Sequence, residues 1–245
     1  MPRSTGEYGG GIWGPGGVAV EDATGDVYAA TGNSLPGANA GYAEQVVRLD
    51  QNLNVTATHY VPLVGIDVDY GATPLLFQPP GCPALVAAKN KSGLFVLYKR
   101  DLIGSGPIQT LQIASNQDFR FNGIPAYSPE TNMVYVSNSS DSNSDVYTHG
   151  MVALSVGAHC TLALAWQEAV GPPVSSVSPP TVANGVVYYG DGFGGTLRAF
   201  DARTGKALWD SGSTINGPIF AAPLVVDGRV FVSTWDGHVY AFSAP

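Results

Sequence analysis

The sequence predicts an all-β chain, a β-propeller built of four-stranded antiparallel blades, and three observations carry that prediction. One is an internal repeat. Val186-Val187-Tyr188-Tyr189-Gly190-Asp191, followed by Gly195-Thr196-Leu197-Arg198-Ala199-Phe200-Asp201, returns as Val230-Phe231-Val232-Ser233-Thr234-Trp235-Asp236 and Gly237-His238-Val239-Tyr240-Ala241-Phe242. Each copy reads as strand, Gly-containing turn and second strand, at a period of roughly 45 residues, a spacing used by stacked or radial repeats. The second observation is composition. Only 12% of the residues are charged, while Gly 31 and Pro 18 supply turn residues throughout, the balance of many short strands joined by tight turns. The third is a period-two alternation of apolar residues that recurs along the chain.

The elements follow in order, each bounded by Gly, Pro, Asn, Asp or Ser. A first blade is expected at 17–20, 26–31, 44–50 and 53–60, and a second at 73–78, 84–89, 93–99 and 108–114. The third takes 124–128, 133–137, 149–155 and 162–169, and the fourth 180–183, 185–190, 196–201 and 206–211. A fifth has 222–227, 229–234 and 238–243, with no fourth strand. Within each blade the strands are labelled A to D, inner to outer. The N-terminal stretch 5–11 is Gly-rich and a poor candidate for the missing strand. The sequence therefore leaves two outcomes, a weakly closed five-bladed ring or the C-terminal part of a larger propeller, and the second is favoured. Open edges of that kind invite pairing with a second copy. Residues 137–148, rich in Ser, Asn and Asp, read as a long mobile loop. The chain, 1–245, reads as one propeller domain or propeller fragment.

Composition also excludes. A formal net charge of −8 without a Lys/Arg run speaks against nucleic acid as a partner. Gly and Pro interrupt every uncharged stretch, so no membrane span is expected. Residues 1–6 lack the apolar core of a secretory signal, so any export signal of the natural protein would lie outside this chain. Cys82 and Cys160 are the only cysteines; one disulfide and two buried thiols are equally open.

In a four-stranded meander the D–A and B–C connections emerge at one face, and the A–B and C–D connections at the other. That sorting places Trp13, Asp67, Asp69 and Asn122 with Asn33, Lys91, the turn at Asp191 and Trp235-Asp236. Cys82 and Cys160 share the opposite face.

Several of these residues lie in segments that resemble a known family. Gly9-Gly10-Gly11-Ile12-Trp13-Gly14, Gly25-Asp26-Val27-Tyr28-Ala29-Ala30-Thr31-Gly32-Asn33 and Lys91-Ser92-Gly93-Leu94-Phe95-Val96-Leu97 are similar to the pyrroloquinoline quinone (PQQ)-dependent alcohol dehydrogenases. So are Phe121-Asn122-Gly123 and Met133-Val134-Tyr135-Val136. Gly195 to Trp209 resembles that family's tryptophan-docking repeat, and Asp67-Val68-Asp69-Tyr70-Gly71 its polyvinyl-alcohol-dehydrogenase-like branch. The resemblance implies PQQ and Ca²⁺ as cofactors, a small-molecule alcohol as substrate and a periplasmic or extracellular site of action.

Residue by residue, the resemblance implies that Trp13 stacks on the quinone, a task for a large rigid π face. Asn33 would offer its carbonyl to Ca²⁺, a cation that prefers oxygen, and Asp67 would take the alcohol proton as well as approach the metal. Asp69 could add a second carboxylate to the metal site, or replace Asp67 as the base, since the spacing fits either. Lys91 would place its charge beside the quinone oxygens, with Asn122 and Trp235 as further cofactor contacts. Each residue also has an ordinary structural use. Trp13 could be a core aromatic, Asn33 and Lys91 turn residues, and the aspartates acceptors of backbone N–H groups. The family's glutamate ligand and paired cysteines are absent, and Glu7 lies too close to Trp13 to replace the former. The competing functions are a PQQ- and Ca²⁺-dependent dehydrogenase, a propeller that lost its cofactor and serves as a protein-binding scaffold, and a sugar-binding propeller. Unequal B–C loops argue against the last.

Overall fold

Alternating apolar residues in strands of two to seven residues, punctuated by turn residues, fold as expected into successive antiparallel meanders. The structure is a computed structural model describing residues 8–14, 16–35, 41–62, 67–115, 123–171, 173 and 178–244. Blade one is formed by β2 (Ala19–Val20), β3 (Val27–Ala30), β5 (Gln45–Leu49) and β6 (Val55–Tyr60). Blade two is β7 (Leu75–Phe77), β8 (Leu85–Lys89), β9 (Leu94–Lys99) and β10 (Gln109–Gln112). Blade three is β11 (Ala126–Ser128), β12 (Met133–Asn138), β13 (Gly150–Val156) and β14 (Leu162–Glu168). Blade four is β15 (Thr181–Ala183), β16 (Val186–Asp191), β17 (Thr196–Asp201) and β18 (Ala207–Asp210). Blade five has β19 (Leu224–Val226), β20 (Arg229–Ser233) and β21 (Val239–Ser243), and among the described residues no fourth strand.

Among the described residues the N-terminal segment does not supply that strand. Tyr8–Gly9 (β1) pairs with Ser34–Leu35 (β4) beside blade one. A 3-10 helical stretch, Arg100–Ser105, sits in the C–D connection of blade two, where the sequence reading had only a loop.

The core is a series of seams between neighbouring blades. Tyr28, Ala30 and Val46 of blade one meet Val86, Ala88 and Val96 of blade two. Leu85, Ala87 and Leu97 meet Val134, Val136 and Val152, and Tyr135, Met151 and Ala153 meet Val187, Tyr189 and Phe200. The last seam joins Tyr188, Leu197 and Ala199 to Val230 and Val232. Period two makes this possible: each strand buries one set of side chains against the preceding blade and the alternate set against the next. Outer-strand tryptophans rivet the later seams. Trp166 donates from Nε1 to Ala202 O of blade four (2.9 Å). Trp209 packs on Phe242 of blade five with ring centroids 5.0 Å apart. Beyond blade five the seam residues meet solvent; Leu224 is 62% and Val239 71% exposed.

One device recurs at every B–C turn. The second strand of each blade ends at, or one residue before, a buried polar residue, Thr31, Asn90, Asn138, Asp191 or Thr234. Thr31 Oγ1 accepts from Gln45 N (3.0 Å). Asn90 Oδ1 accepts from Ser92 N (3.1 Å) and Leu94 N (3.2 Å). Asn138 Nδ2 donates to Ser140 O and Thr148 O, both at 2.9 Å. Asp191 accepts from the Gly194 backbone, and Thr234 Oγ1 donates to His238 O (3.3 Å). Short polar side chains compete for nearby backbone groups in this way, which fixes a turn without a helix or ladder.

Two sequence expectations change here. The polar segment expected to be a mobile loop is laced internally: Ser142 Oγ accepts from Tyr147 N (3.0 Å), and Asp141 Oδ1 from His149 N (2.7 Å). Its Ser, Asp and Asn side chains bond to the local backbone instead of leaving it to water. The cysteine question resolves as a disulfide, Cys82–Cys160, joining the A–B turn of blade two to the C–D turn of blade three.

Candidate functional site

The D–A connection between blades one and two crosses the face that carries the B–C turns, and backbone bonds hold it from both sides. Tyr70 N donates to Thr31 O of blade one (3.3 Å), and Lys91 N of blade two donates to Asp69 O (2.8 Å). The connection between blades four and five repeats the arrangement, with Ile219 N to Gly192 O (2.7 Å) and Trp235 N to Pro218 O (2.9 Å). Asp69 and Lys91 thus occupy the positions taken in the later blades by Pro218 and Trp235. The scaffold is common to both; the chemistry differs.

At the first position the side chains converge. Lys91 Nζ donates to Asp67 Oδ1 (3.0 Å) and Oδ2 (3.1 Å), and to Asp69 Oδ2 (3.4 Å). Asn33 N donates to Asp69 Oδ1 (3.4 Å). Burial separates the two carboxylates: the Asp69 side chain is 5% exposed, that of Asp67 43%. Desolvation, and then the bond to Asp67, push the Asp69 carboxyl above its ordinary range against the opposing pull of Lys91. The structure therefore brings Asn33, Asp67, Asp69 and Lys91 together as the face-sorting argument expected.

Trp13 stands beside them but is no core aromatic. Its side of the chain runs across Gly32, where an added Cβ would overlap the indole Nε1, and the residue is 53% exposed. Gly32 is what allows the ring to lie on the turn that presents Asn33. Asn122 lies outside the described residues. Trp235, 76% exposed, rests edge-on against Phe220 (4.8 Å between centroids), which in turn meets Phe193 (5.3 Å). It forms an aromatic patch on blades four and five, apart from the polar cluster of blades one and two.

Sequence reasoning missed Glu44. It opens the third strand of blade one, where a glutamate passes for an edge charge. In the fold it is 3% exposed, and among the described residues its Oε2 has no hydrogen-bond partner. Its backbone is left-handed, φ 56°, and its N–H donates to Gly32 O (2.9 Å). Burial, and then the charge of Asp69, push its carboxyl above the usual range.

These groups bear on the cofactors the resemblance implies. Among the described residues no three acidic, imidazole or thiolate groups gather as a metal cluster. A hard cation here would draw on the Asn33 amide and a buried carboxyl, and the orphaned Glu44 oxygen fits that donor chemistry. The exposed face of Trp13 fits a flat ring. Lys91 is already spent on the two aspartates.

Comparison with known proteins supports the fold. A family model described as outer membrane protein assembly factor BamB, built of PQQ-type repeats, matches residues 158–245, about a third of the chain. No curated protein sequence matches. Among solved structures the chain is similar to the quinohemoprotein alcohol dehydrogenase from Comamonas testosteroni, at 18% identity and a TM-score of 0.64 over 92% of this chain and 44% of that one. It is also similar to a europium-containing methanol dehydrogenase, at 16% identity and a TM-score of 0.59 over 95% of this chain and 50% of the other. Sqt1 of Saccharomyces cerevisiae superposes at 10% identity with a TM-score of 0.65, covering 92% and 57% respectively. The chain spans about half the length of the structures it matches. Identities this low speak for fold alone. Residues 158–245 match a family model of PQQ-type repeats, and the chain folds as a β-propeller similar to those of the quinoprotein dehydrogenases.

Proposed function

We propose that this chain is part of a PQQ- and Ca²⁺-dependent dehydrogenase that oxidises an alcohol, and that it corresponds to the C-terminal part of such a propeller, of the polyvinyl-alcohol-dehydrogenase-like branch. The observation that carries the proposal is the convergence of Asp67, Asp69, Lys91 and Asn33 beside the exposed face of Trp13. A propeller needs no pair of carboxylates around one buried ammonium to close a turn, since the same turn in blade five is made with Pro218 and Trp235.

The difference in burial supports one division of the roles that spacing left open. Asp67 is the carboxylate a substrate can reach, so it acts as the general base, accepting the hydroxyl proton while the adjacent carbon gives up hydride. PQQ, when bound, supplies the two-electron acceptor for that hydride. Lys91 orients Asp67 through both carboxylate oxygens. Asp69 ties Lys91 to the Asn33 turn. Trp13 offers the stacking surface. Asn33, with the carboxyls next to it, would hold the Ca²⁺. The periplasm or an extracellular compartment suits the disulfide, which persists where the environment is oxidising. No helix among the described residues is long and apolar enough to cross a membrane.

A scaffold that binds protein partners and has lost its cofactor is the second reading. The match of residues 158–245 to the assembly-factor family favours it. Titrating the purified chain with PQQ, with and without Ca²⁺, separates the two. Saturable, Ca²⁺-dependent quenching of tryptophan fluorescence that weakens in Asn33→Ala supports the dehydrogenase. Absence of binding at high micromolar PQQ leaves the scaffold, or an enzyme whose site is incomplete in this chain.

A further inference from the structure

We infer that Glu44 is a ligand in a divalent-cation site that it shares with Asn33 and Asp69. The inference rests on reading Asn33 as a cation ligand and adds a residue that no resemblance assigns.

Three features of Glu44 coincide. Its carboxyl is buried, with Oε2 lacking a hydrogen-bond partner among the described residues. Buried polar groups are nearly always satisfied, and an unsatisfied carboxyl oxygen in a native fold calls for an ion or a proton. Its backbone is held at φ 56°, a left-handed conformation that costs energy at any residue with a Cβ and persists where its surroundings impose it. The bond that holds it, Glu44 N to Gly32 O (2.9 Å), ties it to the residue before Asn33. The side chain feels the charge of Asp69, whose Oδ1 accepts from Asn33 N.

Charge selects a cation over a second acid-base role. Asp67, Asp69 and Glu44 present three carboxyls, and the ammonium of Lys91 is already bonded to two of them. Among the described residues, one buried carboxyl is left without a countercharge. An all-oxygen donor set of carboxyl, carboxyl and amide suits a hard divalent ion such as Ca²⁺, and a bound ion would satisfy Glu44 Oε2 and balance the charge together.

The test is a Ca²⁺ titration of the full chain, stripped with chelator, followed by calorimetry and by thermal melting in EDTA and in Ca²⁺. Wild type should bind one ion and melt higher in Ca²⁺. Glu44→Gln should weaken binding at least tenfold, yet melt at or above wild type in EDTA, because it removes a buried charge. That crossover separates a ligand from a residue that merely fills space. Glu44→Asp, which keeps the charge on a shorter stem, should fall between them and serves if the amide variant folds poorly. Asp191→Asn, a buried carboxyl of blade four, should bind like wild type. Unchanged binding in Glu44→Gln together with loss in Asn33→Ala would overturn the role of Glu44 and leave the Asn33 reading intact. No Ca²⁺ binding by wild type at millimolar concentration would overturn both.

Discussion

Opening the Cys82–Cys160 bridge should cost stability without touching the candidate site, and the structure sets the size of the effect. The bridge closes a loop across a sequence separation of 78 residues, between the A–B turn of blade two and the C–D turn of blade three. The chain-entropy relation gives about 4.5 kcal/mol for a loop of that length, and measured native bridges cluster at about 2–4 kcal/mol. Taking about 3 kcal/mol, and roughly 2–4 °C per kcal/mol for a chain of this size, the melting temperature should fall by about 6–12 °C. The loss should stay within that range because other contacts still join the two blades: Gln109 Nε2 donates to Leu162 O (2.8 Å), and Leu162 N to Gln109 Oε1 (2.7 Å). The assay is calorimetric melting of wild type with and without reductant, alongside a Cys82→Ser/Cys160→Ser double variant. Reductant and double variant should agree, and PQQ quenching should be the same in both, because the bridge lies at the end opposite Asp67. A shift below 2 °C would refute the reasoning, as would a change in quenching without a change in melting.

Other perturbations test the site and its frame. Lys91→Met leaves Asp69 buried without its cation and should cost about 3–5 kcal/mol in denaturant unfolding, with part of that loss recovered in Lys91→Met/Asp69→Asn. Gly32→Ala places a Cβ where the Trp13 indole lies, so the ring must leave the turn; the emission spectrum should change in this variant and not when the same substitution is made in Trp13→Phe. Burial raises the Asp191 carboxyl, so the folded state holds that proton more tightly than the unfolded chain does. Its contribution is present below the ordinary carboxyl range and is lost as pH rises through the raised value. Asp191→Asn should therefore gain stability relative to wild type as pH rises from acid to neutral, and melting curves across that range would show a flat difference if burial were not the cause.

The blades were legible in the sequence because period-two alternation and turn residues act locally, and strand bounds moved by only a residue or two. The convergence of Asp67, Asp69 and Lys91 was also legible, since a meander fixes which connections share an end. The same rule brought Cys82 and Cys160 together. What stayed hidden depends on solvent access. Spacing could not choose between Asp67 and Asp69, because the choice lies in one side chain being buried and the other not. Glu44 has no sequence signal of its own: a glutamate at a strand start looks solvated, and its burial, left-handed backbone and orphaned oxygen exist only after blades one and two meet. Trp13, equally readable as core, is exposed because Gly32 lets it lie across a turn.

The buried polar residue that ends or directly follows the second strand of every blade has a consequence for how such a chain can change. Because Asn90 and Thr234 hold their turns from within, the side chains that follow them, Lys91 and Trp235, need not close the turn, and the two differ entirely in chemistry. The rim works as a row of sockets whose fittings can be exchanged one at a time while the frame keeps its shape. New chemistry can therefore be installed at a single site by one substitution, and an engineer wishing to graft a binding group onto this rim should begin at those positions.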